Sequence, residues 1–221
     1  MIITLVGAES TGKSDLAHAL ALHYIGQGLD AIAVGEYLRE WCALQGRTPS
    51  ATEQTHIATT QHLRIHSAAA QHRIVIADTT ALMTAVYSDW VFADRSLYAQ
   101  AIAQQCSFDV TLLTGLDMPW QADGIQREGA HVRGPVDALL RSALNEAQIG
   151  YRVVYGQGPM RLKNAIDCIA THVHNTGTTA INASQKWVWT CDKCSDPDCE
   201  HRLFSQLTAP SSAPADGPAV G

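Results

Sequence analysis

Apolar runs of strand length alternate along the chain with longer segments whose apolar positions recur at helical spacing. Short, uninterrupted apolar runs are typical of strands that are covered on both faces of a parallel sheet. The alternation therefore predicts an α/β fold with a five-stranded parallel sheet and helices on both of its faces. The five predicted strands are Ile2–Val6, Ala31–Val34, Ile74–Ala77, Val110–Leu113 and Tyr151–Val154.

The segments between these strands predict four helices. They are Lys13–Tyr24, residues 51–72, Pro135–Ala147 and Pro159–His174. Two of these segments begin at a proline, which the first turn of a helix tolerates because its N–H groups have no partner within the helix. Helices of this length are long enough to connect neighbouring parallel strands.

Two other regions lack regular periodicity. Residues 115–134 contain four glycines, a proline and several charges, and we expect a lid there because long connections inside a compact domain usually have a function. Residues 176–206 form a Thr/Gly/Asn/Ser linker followed by a cysteine-rich extension, and residues 207–221 are rich in Pro, Ala, Ser and Gly. That composition predicts a disordered tail after one folded domain over residues 1–175.

The first predicted strand leads directly into a glycine-rich turn. Its residues Gly7, Ala8, Glu9, Ser10, Thr11, Gly12, Lys13 and Ser14 fit the pattern G-x-x-x-x-G-K-[ST]. A strand before the pattern and a helix after it are the context in which it forms a phosphate-binding loop, or P-loop. Backbone N–H groups and the helix N-terminus then face the phosphates of a nucleotide. We expect Lys13 to reach the outer phosphates of ATP and Ser14 to take one position on Mg²⁺.

A P-loop alone does not choose among GTPases, motors and small-molecule kinases. The chain has no N-K-x-D tetrapeptide that would read guanine, and no D-x-x-G follows the third strand. Both observations disfavour a GTPase. The length of 221 residues disfavours most motors and transporters.

The third apolar strand ends in Asp78. Ligands of parallel sheets gather at the carboxyl ends of the strands, so Asp78 is expected beside the phosphate loop. It either holds Mg²⁺ through water or accepts a proton from an attacking hydroxyl. The alternative is a solvated N-cap of the next helix, since Asp-Thr is also a good capping sequence.

The second strand is followed by Glu36, Tyr37 and Arg39, again at the carboxyl edge. These residues are candidates for binding the substrate that accepts a phosphoryl group. Glu36 would bind ribose hydroxyls, Tyr37 would stack, and Arg39 would pair with a phosphate or with Glu36. The alternative is the ordinary start of a surface helix.

Within the expected lid, Trp120 and Asp123 are candidates for substrate binding and Arg127 for catalysis. An arginine there would neutralise charge on the transferred phosphoryl group, while closure would exclude water. Trp120 offers a flat face to a planar base, including a cationic pyridinium. The alternative for Trp120 is a loop tryptophan that is simply packed down for burial.

Several segments, in the same order over about residues 2–170, make the chain resemble the nicotinamide-riboside kinase domain of the NadR-type P-loop ATPases. They are Ile3–Ser14 with its glutamate, Glu36-Tyr37-x-Arg39-Glu40, Ile76–Thr80, Phe108–Leu113, and Trp120-x-x-Asp123-Gly124 with Arg127. The resemblance implies ATP- and Mg²⁺-dependent phosphorylation of the 5′-hydroxyl of nicotinamide riboside, which yields nicotinamide mononucleotide.

The same resemblance implies a role for each matched residue. Lys13 and Ser14 would bind the nucleotide, and Asp78 would bind the metal or accept the proton. Glu36 and Arg39 would bind the acceptor, Trp120 would contact the nicotinamide ring, and Arg127 would act from the lid. Thr80 departs from the family, which more usually has a second acid at this position. NadR-type proteins often carry an adenylyltransferase domain before the kinase, and we expect that activity to be absent because the chain begins at the kinase strand.

Two other functions stay open. One is a kinase for a different nucleoside or small alcohol. The other is a nucleotide-controlled binding or regulatory ATPase that hydrolyses slowly and contacts a partner through the cysteine-rich extension.

The net charge bears on which partners the protein could bind. Fifteen Lys and Arg against twenty-one Asp and Glu leave a net charge of −6, which disfavours a nucleic-acid partner. No run approaches the roughly 18 apolar residues of a membrane span, and the first six residues are too short for a signal peptide. We therefore expect a cytoplasmic protein with no membrane contact.

Cys191, Cys194, Cys199 and His201 lie within eleven residues of the extension. Three thiolates and an imidazole can complete a tetrahedral, structural zinc site. The C-x-x-C spacing suits zinc, whereas the spacing from Cys194 to Cys199 and His201 is not that of a standard zinc finger. A reactive C-x-x-C pair and inert cysteines are the alternatives.

Overall fold

The computed structural model of the protein describes residues 1–121 and 129–177. The strands are β1 (Ile2–Val6), β2 (Ala31–Val34), β3 (Ile74–Asp78), β4 (Val110–Thr114) and β5 (Arg152–Val154). The α-helices are α1 (Lys13–Gly26), α2 (Tyr37–Gln45), α3 (Gln54–Ala69), α4 (Ala81–Phe92), α5 (Tyr98–Gln105), α6 (Arg133–Glu146) and α7 (Gly158–Gly177). Short 3₁₀ turns at Ala51–Glu53 and Ala130–Val132 precede α3 and α6.

The five strands form one parallel sheet in the order β2-β3-β1-β4-β5. The predicted fold class is thereby confirmed. β1 lies at the centre, and its register pairs Leu5 with Asp78 of β3 and Val6 with Leu113 of β4. The loop after β1 and the carboxyl end of β3 therefore meet at one edge of the sheet.

Alternate residues of the central strands face different helix layers. Ile3 and Leu5 pack with α1 and α7, whereas Val6 packs with α4 and α6. Every residue of β3 and β4 is buried. Coverage on both faces explains why these strands are mostly apolar and carry no charged residue before Asp78.

Three helices were not predicted: α2, α4 and α5. The first six residues of α4 are all buried, so the helix shows no polar face and no helical period. α5 has only eight residues, which is too short for a clear pattern. Residues 51–72 were expected to form one helix, but a capping box between Ser50 and Glu53 starts a 3₁₀ turn before α3.

A buried side-chain network ties α5 to the sheet. Gln105 is 1% exposed, and its amide donates to the hydroxyls of Thr4 and Thr111 at 3.0 and 2.9 Å. Its carbonyl oxygen accepts a hydrogen bond of 2.7 Å from Thr80. Thr80 is the position at which the sequence departs from the NadR-type pattern. In this chain its side chain is buried and is part of the hydrogen-bond network.

Replacing Gln105 with leucine is expected to lower the free energy of unfolding by about 2–4 kcal/mol, because three buried hydroxyls each lose a hydrogen bond to Gln105 at once. Urea unfolding followed by circular dichroism measures this change. Gln100→Leu, at an exposed position of the same helix, is the matched control and should change stability by less than about 0.5 kcal/mol. Equal effects of the two variants would contradict the role of the network.

Several predicted features lie outside the described residues. These are Asp123 and Arg127 in the expected lid, the cysteine-rich extension with Cys191, Cys194, Cys199 and His201, and the tail over residues 207–221. Within the described ranges, no helix is both long and apolar enough to cross a membrane. The same ranges contain no group of three or more His, Cys, Asp or Glu side chains arranged to hold a metal ion.

Candidate functional site at the carboxyl edge of the sheet

The loop between β1 and α1 has the backbone shape that its glycines permit. Gly7 has a φ of 148° and Gly12, which caps α1, has a φ of 72°. A Cβ on Gly7 would lie 2.2 Å from the Thr114 hydroxyl oxygen, so no larger residue fits beside β4. Both glycines of the motif are thus required by the geometry.

The loop is held from beneath by buried polar contacts. The Thr11 hydroxyl donates to the Ala8 carbonyl at 2.7 Å and pairs with the Thr114 hydroxyl at 2.7 Å. Arg161, 4% exposed at the start of α7, donates to the Thr11 carbonyl at 2.7 Å. The Lys13 ammonium donates to the carbonyls of Gly7 and Ala8, each at 2.9 Å. This ammonium therefore lies within the loop, where the phosphates of a nucleotide are expected.

Glu9 connects the loop to the segments on either side of residues 122–128. Its carboxylate accepts hydrogen bonds from the Trp120 indole at 2.9 Å and from the Gly129 backbone at 3.1 Å. Its own backbone N–H donates to the Tyr87 hydroxyl at 3.1 Å. The glutamate inside the motif thus orients an indole beside the phosphate loop.

Asp78 ends β3 beside this loop and is only 3% exposed. Its Oδ1 is buried and has no hydrogen-bond partner among the described residues. The N-cap of α4 is Thr80, which removes the capping alternative for Asp78. A buried carboxylate oxygen without a protein partner is costly, and a cation or a donor from a ligand would satisfy it.

The residues present fit a magnesium ion. Mg²⁺ binds through one or two protein oxygens together with water and substrate phosphates. Asp78, with its unsatisfied oxygen, and Ser14, on the first turn of α1, supply oxygen ligands of the kind that the ion prefers.

The peptide after Asp78 is strained. Thr79 has a φ of 77°, a conformation that a β-branched residue rarely adopts. The Gln61 amide bridges this turn to the second strand by donating to the carbonyls of Thr79 and Gly35, at 3.5 and 3.3 Å. Strain of this kind is found mostly at functional sites, where the surrounding structure enforces it.

One cavity of about 450 Å³ opens onto the phosphate loop. Predicted residues in its wall are Gly7, Glu9, Ser10, Thr11, Gly12, Lys13, Ser14, Glu36 and Arg39. Glu36 and Arg39 form an ion pair with a separation of 3.6 Å, which agrees with one of the two expected partners of Arg39. The loop and the segment after β2 therefore share one space.

Four predicted residues lie near this cavity but are not in its wall. They are Ala8, Tyr37, Asp78 and Trp120. The Tyr37 ring lies under the Arg64 guanidinium at 4.5 Å, and its hydroxyl pairs with His56 at 3.1 Å. These contacts hold the Tyr37 side chain against α3, and its assignment to stacking stays a prediction.

The rest of the wall was not found from the sequence. Most of it comes from the loop before α3, from α3, and from α4 with the turn before it, as Thr48, Pro49, Gln54, Ile57, Gln61, Thr79, Met83, Thr84, Tyr87, Val91 and Phe92. Asp15 of α1, Leu38 and Cys42 of α2, and Gln121 complete the wall. One signal could have pointed to α4: a helix that follows an apolar strand ending in an acid starts at the edge that carries the phosphate loop. No comparable signal existed for Gln54 or Thr48.

Burial controls the chemistry of the one cysteine in this wall. Cys42 is fully buried on α2, and burial, together with the negative charge of Glu36, raises the pKa of its thiol. A thiol with a raised pKa is a poor nucleophile at neutral pH. Cys42 therefore contributes an apolar surface to the cavity.

The Arg161 guanidinium donates to the Thr11 carbonyl of the phosphate loop, and it also donates to the Gly156 carbonyl at 2.7 Å and to Asp117 at 3.2 Å. We therefore expect its loss to lower both the stability of the fold and the affinity for a nucleotide. Arg161→Met should lower the free energy of unfolding by about 3 kcal/mol and weaken ATP binding about ten-fold. Urea unfolding and isothermal titration measure the two effects. Arg95→Met is the control: the Arg95 side chain is 71% exposed, and its replacement should leave the stability and the ATP affinity unchanged. Unaltered ATP binding in Arg161→Met would contradict the expected link between the two.

A strand, a phosphate loop and a helix at the centre of a five-stranded parallel sheet define a P-loop fold, and this fold matches that of solved P-loop kinases. The family model described as an AAA domain matches residues 2–161, and the chain belongs to that family. No match is found among curated protein sequences.

Three solved structures share the fold. A NadR protein in complex with NR has a TM-score of 0.62 and 20% identity, and the match covers 84% of this chain and 52% of NadR. A NadR protein in complex with NAD and AMP-PNP has a TM-score of 0.58 and 21% identity, with coverages of 83% and 51%. The thymidylate kinase of Ehrlichia chaffeensis has a TM-score of 0.56 and 16% identity, with coverages of 77% and 97%.

The expected resemblance to NadR-type proteins is thus confirmed at the level of the fold. The chain spans about half the length of the NadR structures that it matches.

Proposed function

We propose that the protein is an ATP-dependent kinase that phosphorylates a nucleoside, and that nicotinamide riboside is its first candidate acceptor. The observation that carries the proposal is the shared cavity, whose wall includes both the phosphate loop and the ion pair Glu36–Arg39. A binding module that only holds a nucleotide has no need of a second polar surface in the same space. The similarity to NadR bound to NR favours nicotinamide riboside among nucleosides.

The proposed reaction transfers the γ-phosphoryl group of ATP to the acceptor hydroxyl. Lys13 and the loop N–H groups orient and neutralise the phosphates, while Glu36 and Arg39 hold the acceptor. Mg²⁺, held by Ser14 and Asp78, would neutralise charge on the phosphates when bound. The alternative role of Asp78, whose buried Oδ1 has no partner among the described residues, is to accept the hydroxyl proton.

Roles for the remaining predicted residues belong to the same proposal. Trp120, oriented by Glu9, offers its indole face to the ring of the acceptor. Asp123 would bind the acceptor, Tyr37 would stack near it, and Arg127 would neutralise charge on the transferred group; Asp123 and Arg127 lie outside the described residues.

A nucleoside panel tests the proposal. ATP consumption by the purified chain is measured with nicotinamide riboside, with the common nucleosides and with no acceptor, and the products are identified by mass spectrometry. We expect turnover to rise strongly with one nucleoside and the product to carry one added phosphate. Slow turnover that ignores every nucleoside would contradict the kinase and favour the nucleotide-controlled binding protein.

The spacing of the cysteine and histidine residues in the extension supports a separate prediction, that of a zinc site. The full chain should contain about one zinc ion per molecule, and the Cys191→Ser and Cys199→Ser variants should lose it. Elemental analysis of the purified proteins measures the metal. Cys106→Ser is the control, because Cys106 is an exposed free cysteine on the folded domain. A full chain without zinc would leave the reactive or inert thiol alternatives.

A further inference from the structure

Gln61 is a buried polar residue that ties two turns of the site together. It lies on α3, is 2% exposed and lines the cavity. Its NH₂ group donates to the Gly35 carbonyl at 3.3 Å and, more weakly, to the Thr79 carbonyl at 3.5 Å. Its oxygen accepts from the Tyr37 backbone N–H at 2.8 Å. One side chain therefore contacts both the turn after β2 and the turn after β3.

These partners determine the orientation of the amide. A carbonyl only accepts hydrogen bonds and a backbone N–H only donates one, so the NH₂ group and the oxygen of Gln61 cannot be exchanged. Rotating the amide by half a turn would lose all three hydrogen bonds. The contact therefore requires a side chain that both donates and accepts.

Gln61 extends the connection between β2 and β3 past the end of their pairing. The register of the two strands ends with Val34 opposite Ala77. Beyond this pair the Gln61 amide joins the two chains, each of which carries one carboxylate of the proposed mechanism, Glu36 and Asp78. Hydrogen bonds from supporting residues are what hold reacting groups at a productive separation.

The same contact determines how α2 begins. Tyr37 is the first residue of α2, so its N–H has no partner within the helix. Glu36, the N-cap residue, makes no side-chain capping bond. Gln61 satisfies the first N–H from outside, while Glu36 lines the cavity and pairs with Arg39 at 3.6 Å. Gln61 thus holds the residues on both sides of Glu36.

On β3 the contact reaches the strained residue that follows Asp78. Thr79 has a φ of 77°, its N–H donates to the Leu5 carbonyl at 3.1 Å, and its carbonyl accepts from Gln61. Strained backbone persists only where neighbouring contacts enforce it. Removing the Gln61 amide would therefore relax the peptide that is joined directly to Asp78.

We propose that Gln61 is a positioning residue that sets Glu36 and Asp78 at the separation needed for phosphoryl transfer to the acceptor. The inference rests on the proposed function, since it assigns Gln61 a role in that reaction. A misplacement of about 1 Å can cost about 10²-fold in rate. The hydrogen bonds of Gln61 reach residues 35, 37 and 79, none of which is in the phosphate loop, so nucleotide affinity should not depend on them.

Gln61→Met in the full chain tests the proposal, because methionine has a similar length and lacks the amide. Kinetics with the nucleoside found in the panel give KM and kcat, and titration with a non-hydrolysable ATP analogue gives its Kd. We expect the acceptor KM to rise about ten-fold, kcat to fall about ten-fold and the Kd to change less than about three-fold. Gln71→Met, at an exposed glutamine just after α3, is the matched control and should leave all three unchanged.

A second measurement needs no acceptor. Hydrogen exchange of the Tyr37 N–H, followed by NMR, should be slow in the wild type and in Gln71→Met and at least about ten-fold faster in Gln61→Met. Gln61→Leu takes the place of Gln61→Met should that variant fail to fold. Rapid exchange of this N–H in the wild type would overturn the inference whatever the variants do.

The kinetic outcomes separate this inference from the proposed function. A fall in kcat with an unchanged acceptor KM would mean that Gln61 only stabilises the fold, which overturns the inference and leaves the kinase standing. Full activity of Gln61→Met does the same. A wild-type chain without acceptor-dependent turnover contradicts the kinase and the inference together, and exchange of the Tyr37 N–H then reports only whether Gln61 caps α2.

Discussion

Replacing Lys13 with methionine is expected to lower kcat for phosphoryl transfer by about 10²–10³-fold, because one preorganised positive charge is removed from the phosphates. In the structure the Lys13 ammonium is directed into the phosphate loop by the carbonyls of Gly7 and Ala8. Methionine has a similar length and no charge, so the backbone of the loop should be preserved. Steady-state kinetics with the acceptor found in the nucleoside panel measure the loss.

Lys163→Met is the matched control for this experiment. Lys163 lies on α7, its side chain is 68% exposed, and it pairs with Asp167 one helical turn away. Loss of an exposed ion pair of this kind changes stability little and should leave kcat unchanged. A Lys13→Met variant that keeps more than about a tenth of wild-type activity would contradict the expected place of the phosphates.

Asp78→Asn is expected to separate activity from stability. The carboxylate charge is lost, so we expect kcat to fall by at least about 10²-fold through loss of metal binding or of the proton acceptor. The free energy of unfolding should stay the same or rise, since a neutral amide is less costly than a carboxylate whose Oδ1 is buried without a partner. Acceptor-dependent kinetics and urea unfolding give the two quantities.

Asp167→Asn, an exposed carboxylate on α7, is the control for charge removal and should alter neither quantity. A clear loss of stability in Asp78→Asn would mean that the carboxylate is structural. Retention of full activity would remove Asp78 from both of its proposed roles.

The parts of the fold that the sequence predicts are those whose signals are local. The phosphate loop needs its glycines wherever it occurs, as Gly7 shows beside Thr114, and the central strands β1, β3 and β4 are buried and therefore mostly apolar. The position of Glu36 followed from the rule that functional residues lie at the carboxyl edge of a parallel sheet, and the structure places it in the cavity wall.

The residues that escaped prediction depend on packing between segments that are distant in the sequence. Most of α4 is buried, so the helix lacks the polar face from which its orientation could be inferred. Tyr87 reaches the phosphate loop only because α4 crosses that edge of the sheet, and its hydroxyl accepts from the Glu9 backbone.

The central position of β1 bears on how the chain acquires its structure during synthesis. Ile3 pairs with Ile76 on one side and with Val110 on the other, so β1 leaves the ribosome well before either of its partners has been made. Non-local pairings of this kind slow folding and leave apolar surface exposed meanwhile. The nascent chain therefore carries an unpaired apolar strand, open to aggregation or to a chaperone, until β4 has emerged.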